Sequence, residues 1–190
     1  MSNEEIIWNF LYEKLNNPYG AAAMMGNLFA ESSLNPILAN NVKKKTGLTN
    51  EQYTSAADSR MNNSFVSDRI AYGLAQWAFS TRKKGLLDYA EKKGTSVGDI
   101  HTQLEYLWEE LQKYKTVINV LYSSQSVKEA SDIVLLKYEK PANQSDAVKQ
   151  LRAKYGQKYF DKYATAKETI KIVLPKKLAK EIKSKLEKLI

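Results

Sequence analysis

Apolar residues recur at helical spacing through most of the chain. Ile6, Ile7, Phe10, Leu11 and Leu15 form a first stripe up to Asn16-Asn17, and Ser2 followed by Glu5 reads as a capping box that opens it. Pro18 is well placed at the first position of a second helix, where its missing N–H costs nothing. That helix runs through Ala21-Ala22-Ala23-Met24-Met25-Gly26-Asn27-Leu28-Phe29-Ala30-Glu31-Ser32, until Asn35-Pro36 stops it. From Ile37 to Phe65 the pattern turns polar and is broken by Gly47 and Asn62-Asn63. One short helix is predicted there, from Asn50 to Ala57 after a Thr49 cap.

Phe65 to Gln76 mixes β-branched and aromatic residues around Gly73 and reads as short strands or extended loop, leading into a helix from Ser80 to Lys92. After Gly94, Ser96 or Asp99 caps a segment with Ile100, Leu104, Leu107, Trp108 and Leu111 on one face. Shorter helical pieces follow at Val117 to Tyr122 and at Ser126 to Tyr138, which Pro141 ends. A last domain helix spans Asp146 to Tyr163, with Val148, Leu151, Tyr155, Tyr159 and Phe160 as its stripe. Beyond it, Ile170 to Pro175 is linker-like and Lys176 to Ile190 is a basic amphipathic helix. The expected organisation is one domain over 1–165 and a tail over 166–190.

Composition narrows the chemistry. The chain has 190 residues, no cysteine and one histidine, which excludes disulfides, thiolate catalysis, cysteine-ligated metals and multi-histidine metal sites. His101 reads as a solvated or capping residue. Net charge is +8, which favours an anionic partner, but eight lysines against three glutamates from Thr165 to Ile190 place +5 of it in the tail. That distribution argues against a nucleic-acid binder. It leaves the tail as a linker, an element drawn to anionic wall polymer or membrane, or an oligomerisation helix. No window approaches the roughly 20 apolar residues of a membrane span, and the first ten residues lack the pattern of a secretory signal.

Glu31 is the residue that suggests a reaction. It stands in the last turn of an alanine-rich helix, where the negative end of the helix dipole and apolar neighbours such as Phe29 disfavour an ionised carboxylate. A glycosidase needs an acid of that kind to protonate the leaving oxygen. Tyr72-Gly73-Leu74-Ala75-Gln76-Trp77 supplies the amide and aromatic groups of a sugar cleft, with Gln76 suited to an acetamido group or hydroxyls and Trp77 to a ring face. Trp8 and Trp108, on helical stripes, read as core.

The helix Ala21 to Ser32 with Asn35-Pro36, the Tyr72–Trp77 segment with Arg82-Lys83 and Leu86-Leu87, and Tyr138-Glu139-Lys140-Pro141 with Arg152, Tyr155, Tyr159 and Tyr163 together resemble the phage tail lysozyme family. The resemblance covers roughly residues 4–165 in three ordered blocks. It implies a mainly α, lysozyme-like (α+β) fold, a helical bundle with a small β/loop lobe forming a sugar-binding cleft. It further implies cleavage of the β-1,4 bond between N-acetylmuramic acid and N-acetylglucosamine in peptidoglycan glycan strands, without a cofactor. Glu31 would be the general acid, Asp68 or else Asp58 the second carboxylate, and Tyr72, Gln76 and Trp77 would lie along the cleft. The protein would act from the virion or after release from the host cytoplasm. Ala71 and Ala78 depart from the family's usual glycine and threonine, which touches loop geometry and not the reaction. A lytic transglycosylase, a glucosaminidase and a non-catalytic wall-binding or baseplate module are the alternatives.

Overall fold

The structure is a computed structural model that describes residues 1–60 and 64–164. The linker and basic helix expected after residue 165 lie outside the described residues. Nine α-helices are described: α1 (Asn3–Leu15), α2 (Pro18–Ser32), α3 (Val42–Thr46), α4 (Asn50–Asp58), α5 (Ser80–Lys93), α6 (Ile100–Leu111), α7 (Lys115–Ser123), α8 (Val127–Val134) and α9 (Asp146–Tyr159). The predicted starts hold where a side chain can satisfy the free backbone donors. Ser2 and Glu5 form the capping box of α1, and Thr49 and Gln52 form another at α4. Asp99, rather than Ser96, caps α6 through the Thr102 amide at 2.8 Å.

Helix α2 is the axis of the domain, packed by α1, α7, α8 and α9. Ala21, Ala22 and Ala23 are fully buried, and two glycines set how near its neighbours come. A Cβ at Gly26 would stand 2.4 Å from the Gly156 amide nitrogen on α9, and one at Gly20 would stand 2.0 Å from the Leu121 carbonyl oxygen on α7. Both contacts need bare backbone. The Gly26–Gly156 contact also rotates α9 away from its predicted stripe. Arg152, Ala153, Gly156 and Tyr159 face inward, while Leu151 is 47% exposed.

Two helices end differently from the expectation of plain α-helix. Helix α8 widens into a π turn, Leu135–Glu139, closed by the Lys140 amide on the Leu135 carbonyl at 2.8 Å, and α9 into a second, Phe160–Ala164. A π turn adds a residue to the circuit and turns the side chains after it relative to the helix before it, often at functional sites.

The lobe between α2 and α5 has less β structure than expected. Its β content among the described residues is two single bridges, Ala39 to Tyr72 and Tyr72 to Trp77. The second is a tight reversal in which Tyr72 and Trp77 exchange both amide bonds, with Gly73 and Gln76 at positive φ. Gly73 is required twice there, by its φ of 74° and because a Cβ would lie 2.6 Å from Gln103 Oε1.

Candidate functional site

The end of α2 gathers the charged groups. Glu31 sits in its last turn with 19% of its side chain exposed, and its Oε1 accepts from Arg152 Nη2 of α9 at 2.5 Å. Arg152 is held from behind: its Nη1 donates to Asn27 Oδ1 at 3.2 Å, and Asn27, one turn before Glu31, is itself fixed by donating to Ala23 O and Ser131 Oγ, both at 3.0 Å. The neighbouring Ser32 hydroxyl lies between two carbonyls, Leu28 at 3.1 Å and Leu74 at 3.0 Å. The second contact clips the Tyr72–Trp77 reversal to the end of the helix that bears Glu31.

Glu139 is the functional candidate that sequence reasoning passed over. It ends the π turn after α8, and its Oε1 is sealed from solvent without a hydrogen-bond partner. Burial pushes its carboxyl up to about 8; the negative charge of Glu31 adds to the shift, as does that of Glu110, while Arg82 and Arg152 oppose it. A protonated acid at neutral pH was expected on α2. Glu139, near the end of that helix, is a carboxyl that burial keeps protonated at neutral pH. The signal was present in the sequence, since Glu139 lies four residues after Leu135 and so on the buried side of its helix, within the block that carries the resemblance.

Beside this pair lies a second buried carboxylate with a different setting. Glu110 accepts from Arg82 Nε at 2.8 Å and Nη2 at 2.9 Å, from Trp77 Nε1 at 2.7 Å and from the Tyr138 hydroxyl at 2.8 Å. Burial works against its charge, but the Arg82 fork and the two neutral donors outweigh it and hold the carboxyl below its ordinary range.

Several expected site residues belong to the framework. Trp77, expected as a sugar platform, is 0% exposed and spends its indole N–H on Glu110. Tyr72, also 0% exposed, shares a hydrogen bond with Thr54 Oγ1 at 2.8 Å. Neither ring has a face left for a ligand. Gln76 reaches the surface in part, but its amide nitrogen donates to Leu38 O at 3.0 Å and Gly73 O at 2.9 Å. Asp68 does not join Glu31: its Oδ1 accepts from Lys83 Nζ at 2.8 Å and the Ile70 amide at 2.9 Å, and its Oδ2 from the Tyr53 hydroxyl at 2.6 Å. Lys83, with no exposed surface, completes its three bonds on Tyr53 and the Ile70 carbonyl. Asp58 is occupied elsewhere, accepting from Ser96 Oγ at 2.6 Å and the Val97 amide at 2.8 Å. Asp68 fastens the lobe to α5, and Asp58 fastens α4 to the loop between α5 and α6.

This arrangement coincides with a family. The model of the phage tail lysozyme family matches residues 2–163. The chain belongs to that family. Among individual relatives, it is 25% identical over 161 residues to "Morphogenesis protein 1" of Bacillus phage B103, an overlap that takes in 80% of this chain and 38% of that protein. The chain thus corresponds to well under half the length of the relative. Among the described residues no group of histidine, aspartate and glutamate side chains is disposed to hold a metal ion, and no helix is long and apolar enough to cross a membrane.

Proposed function

We propose that the protein is a peptidoglycan glycosidase that hydrolyses the β-1,4 bond between N-acetylmuramic acid and N-acetylglucosamine, with Glu31 as the general acid. The observation that carries this reading is the carboxyl pair at the end of α2. Glu31 reaches solvent, and Glu139 behind it keeps its proton to about pH 8. Two carboxyls whose surroundings treat them differently are the usual way to keep one proton available near neutrality. In this reading the proton of the pair passes through Glu31 to the leaving glycosidic oxygen as the C1–O bond breaks. Water adds its oxygen at C1, and its released proton restores the pair. Arg152 and Asn27 hold Glu31 in place, and Glu139 is a positioning residue that acts through it.

Asp68 and Asp58 suit the second-carboxyl role less well, because every oxygen of both is taken by a framework donor. Membership of the phage tail lysozyme family supports a bacterial wall polymer as substrate and a protein that works from the virion or after release from the host.

The test is digestion of purified peptidoglycan by the wild type and by Glu31→Gln, with soluble products reduced by borohydride and weighed by mass spectrometry. Reduced muramic-acid ends from the wild type alone support the muramidase. Anhydro ends would make it a lytic transglycosylase, and reduced glucosamine ends a glucosaminidase. Turnover by neither protein on several wall types would favour a wall-binding module.

A further inference from the structure

With Trp77 buried, the exposed aromatic beside the reversal is the next residue but one. Phe79 is 74% exposed and among the described residues touches no other aromatic ring, while its carbonyl accepts from the Arg82 and Lys83 amides and so fixes its base at the start of α5. It lines a cavity of about 490 Å³ with Ser67, Arg69, Ala78 and Ser80. Arg69 belongs with Ser67 to the other stretch of chain that lines the cavity, and its backbone is in the left-handed region, with φ of 58°. An L residue with a long side chain rarely adopts that conformation. It is imposed from both sides: Asp68 is tied by three donors, and Ile70 is buried with its carbonyl on Lys83. The strained position puts an exposed arginine in the cavity lining, and among the described residues Arg69 has no acid partner.

We propose that this cavity is a glycan subsite that distinguishes muramoyl from glucosaminyl residues, with Phe79 covering a sugar ring and Arg69 pairing with the carboxylate-bearing substituent on the muramoyl O3. The inference rests on the glycosidase reading and adds a discrimination to it. A flat apolar ring suits the face of any pyranose, so Phe79 supplies affinity without choice. Arg69 supplies the choice, because the N-acetylglucosamine ring has no anionic group. Two of its lining residues, Ala78 and Phe79, directly follow in the chain the reversal that Ser32 clips to the end of α2.

Binding is measured with Glu31→Gln protein, so that no probe is consumed. Three hexasaccharide probes are used: a neutral N-acetylglucosamine oligomer, an alternating oligomer with free lactyl carboxylates, and the same oligomer carrying stem peptides. The alternating oligomers should bind about threefold to fivefold more tightly than the neutral one, the range of an exposed ion pair, and the preference should shrink as salt is raised. Adding Arg69→Ala should abolish the preference while leaving the neutral probe unaffected. Adding Phe79→Ala should weaken all three by about tenfold. Tightening by the free lactyl probe alone assigns the lactyl carboxylate, and tightening by the peptide-bearing probe alone assigns the peptide. An unchanged preference in the Arg69→Ala protein overturns the proposal, as does an unchanged affinity in the Phe79→Ala protein. If the wild type cuts peptidoglycan yet these variants behave as the parent, only this inference fails. If no probe binds and the wild type cuts nothing, both readings fail together. Thermal melting of each variant checks that the exposed substitutions leave the fold intact.

Discussion

Glu110 on α6 and Glu139 on the turn after α8 are both buried and both feel Arg82, yet their surroundings push them in opposite directions. Glu110 meets a two-pronged guanidinium, an indole N–H and a phenol, and is held below the ordinary carboxyl range. Glu139 has an oxygen with no donor, faces the charge of Glu31, and is pushed up to about 8. Asp68, like Glu110, has hydrogen-bond donors on both oxygens. A buried carboxyl with its donors complete holds elements together. Glu139, left short of donors and beside the charge of Glu31, retains a proton and can take part in proton transfer.

The largest expected effect separates the two regions by kind of damage. Glu31→Gln should cut the rate of wall digestion by about 10³-fold, the middle of the range for general acid catalysis, with the melting temperature within a few degrees of wild type. A variant that keeps its rate would remove Glu31 from the chemistry, and one that fails to fold would make Glu31 part of the framework. The converse is Glu110→Ala, which strands Arg82 and leaves Trp77 and Tyr138 without an acceptor. Breaking a buried pair from one side costs about 3 kcal/mol, or roughly 6–12 °C for a domain of this size. Calorimetry that found Glu110→Ala as stable as wild type would undo the contrast.

Glu139→Gln is smaller and acts through pH. The folded-state carboxyl titrates at about 8, against an ordinary value of 4.5. Between those values the folded protein keeps a proton that the unfolded chain has lost, so this group's contribution to stability falls as pH rises through the window and is level above about 8. The amide cannot ionise. The melting temperature of the variant relative to wild type should therefore climb by several degrees from pH 5 to pH 8. The wild-type rate should decline through a limb near pH 8 that the variant lacks. Parallel melting curves for the two proteins across that range would show that Glu139 does not titrate there.

The helices were more legible in the sequence than this contrast. Helix starts were readable because Ser2, Thr49, Pro18 and Asp99 act on their own first turns, and Glu31 could be placed in the last turn of α2 for the same local reason. The stripe on α9 was misread because Gly156 faces α2 to let the two backbones touch, and a spacing rule that counts only large apolar residues gives glycine no weight. Trp77 and Tyr72 looked like sugar ligands because residue type carries no information on burial. Their partners, Glu110 and Thr54, are far away in sequence. Glu139 could be placed on the buried side of its helix from its spacing to Leu135, but its missing donor depends on how the chain packs around the π turn.

The smallest expected effect bears on the second carboxylate. Asp58 lines a separate recess with Arg60, Glu91 and Val97, and its oxygens are taken by Ser96 Oγ and the Val97 amide at the loop between α5 and α6. In Asp58→Asn one amide oxygen still accepts from the Val97 amide, and the amide nitrogen can donate to the Ser96 hydroxyl, so the charge is lost while most of the geometry survives. The cost should be about 1 kcal/mol, a shift of roughly 2–4 °C in melting temperature, with the digestion rate within twofold of wild type. A collapse of the rate with the melting temperature unchanged would make Asp58 a partner of Glu31 in the reaction, and the division between carboxyls with complete donors and those without would no longer separate framework from chemistry.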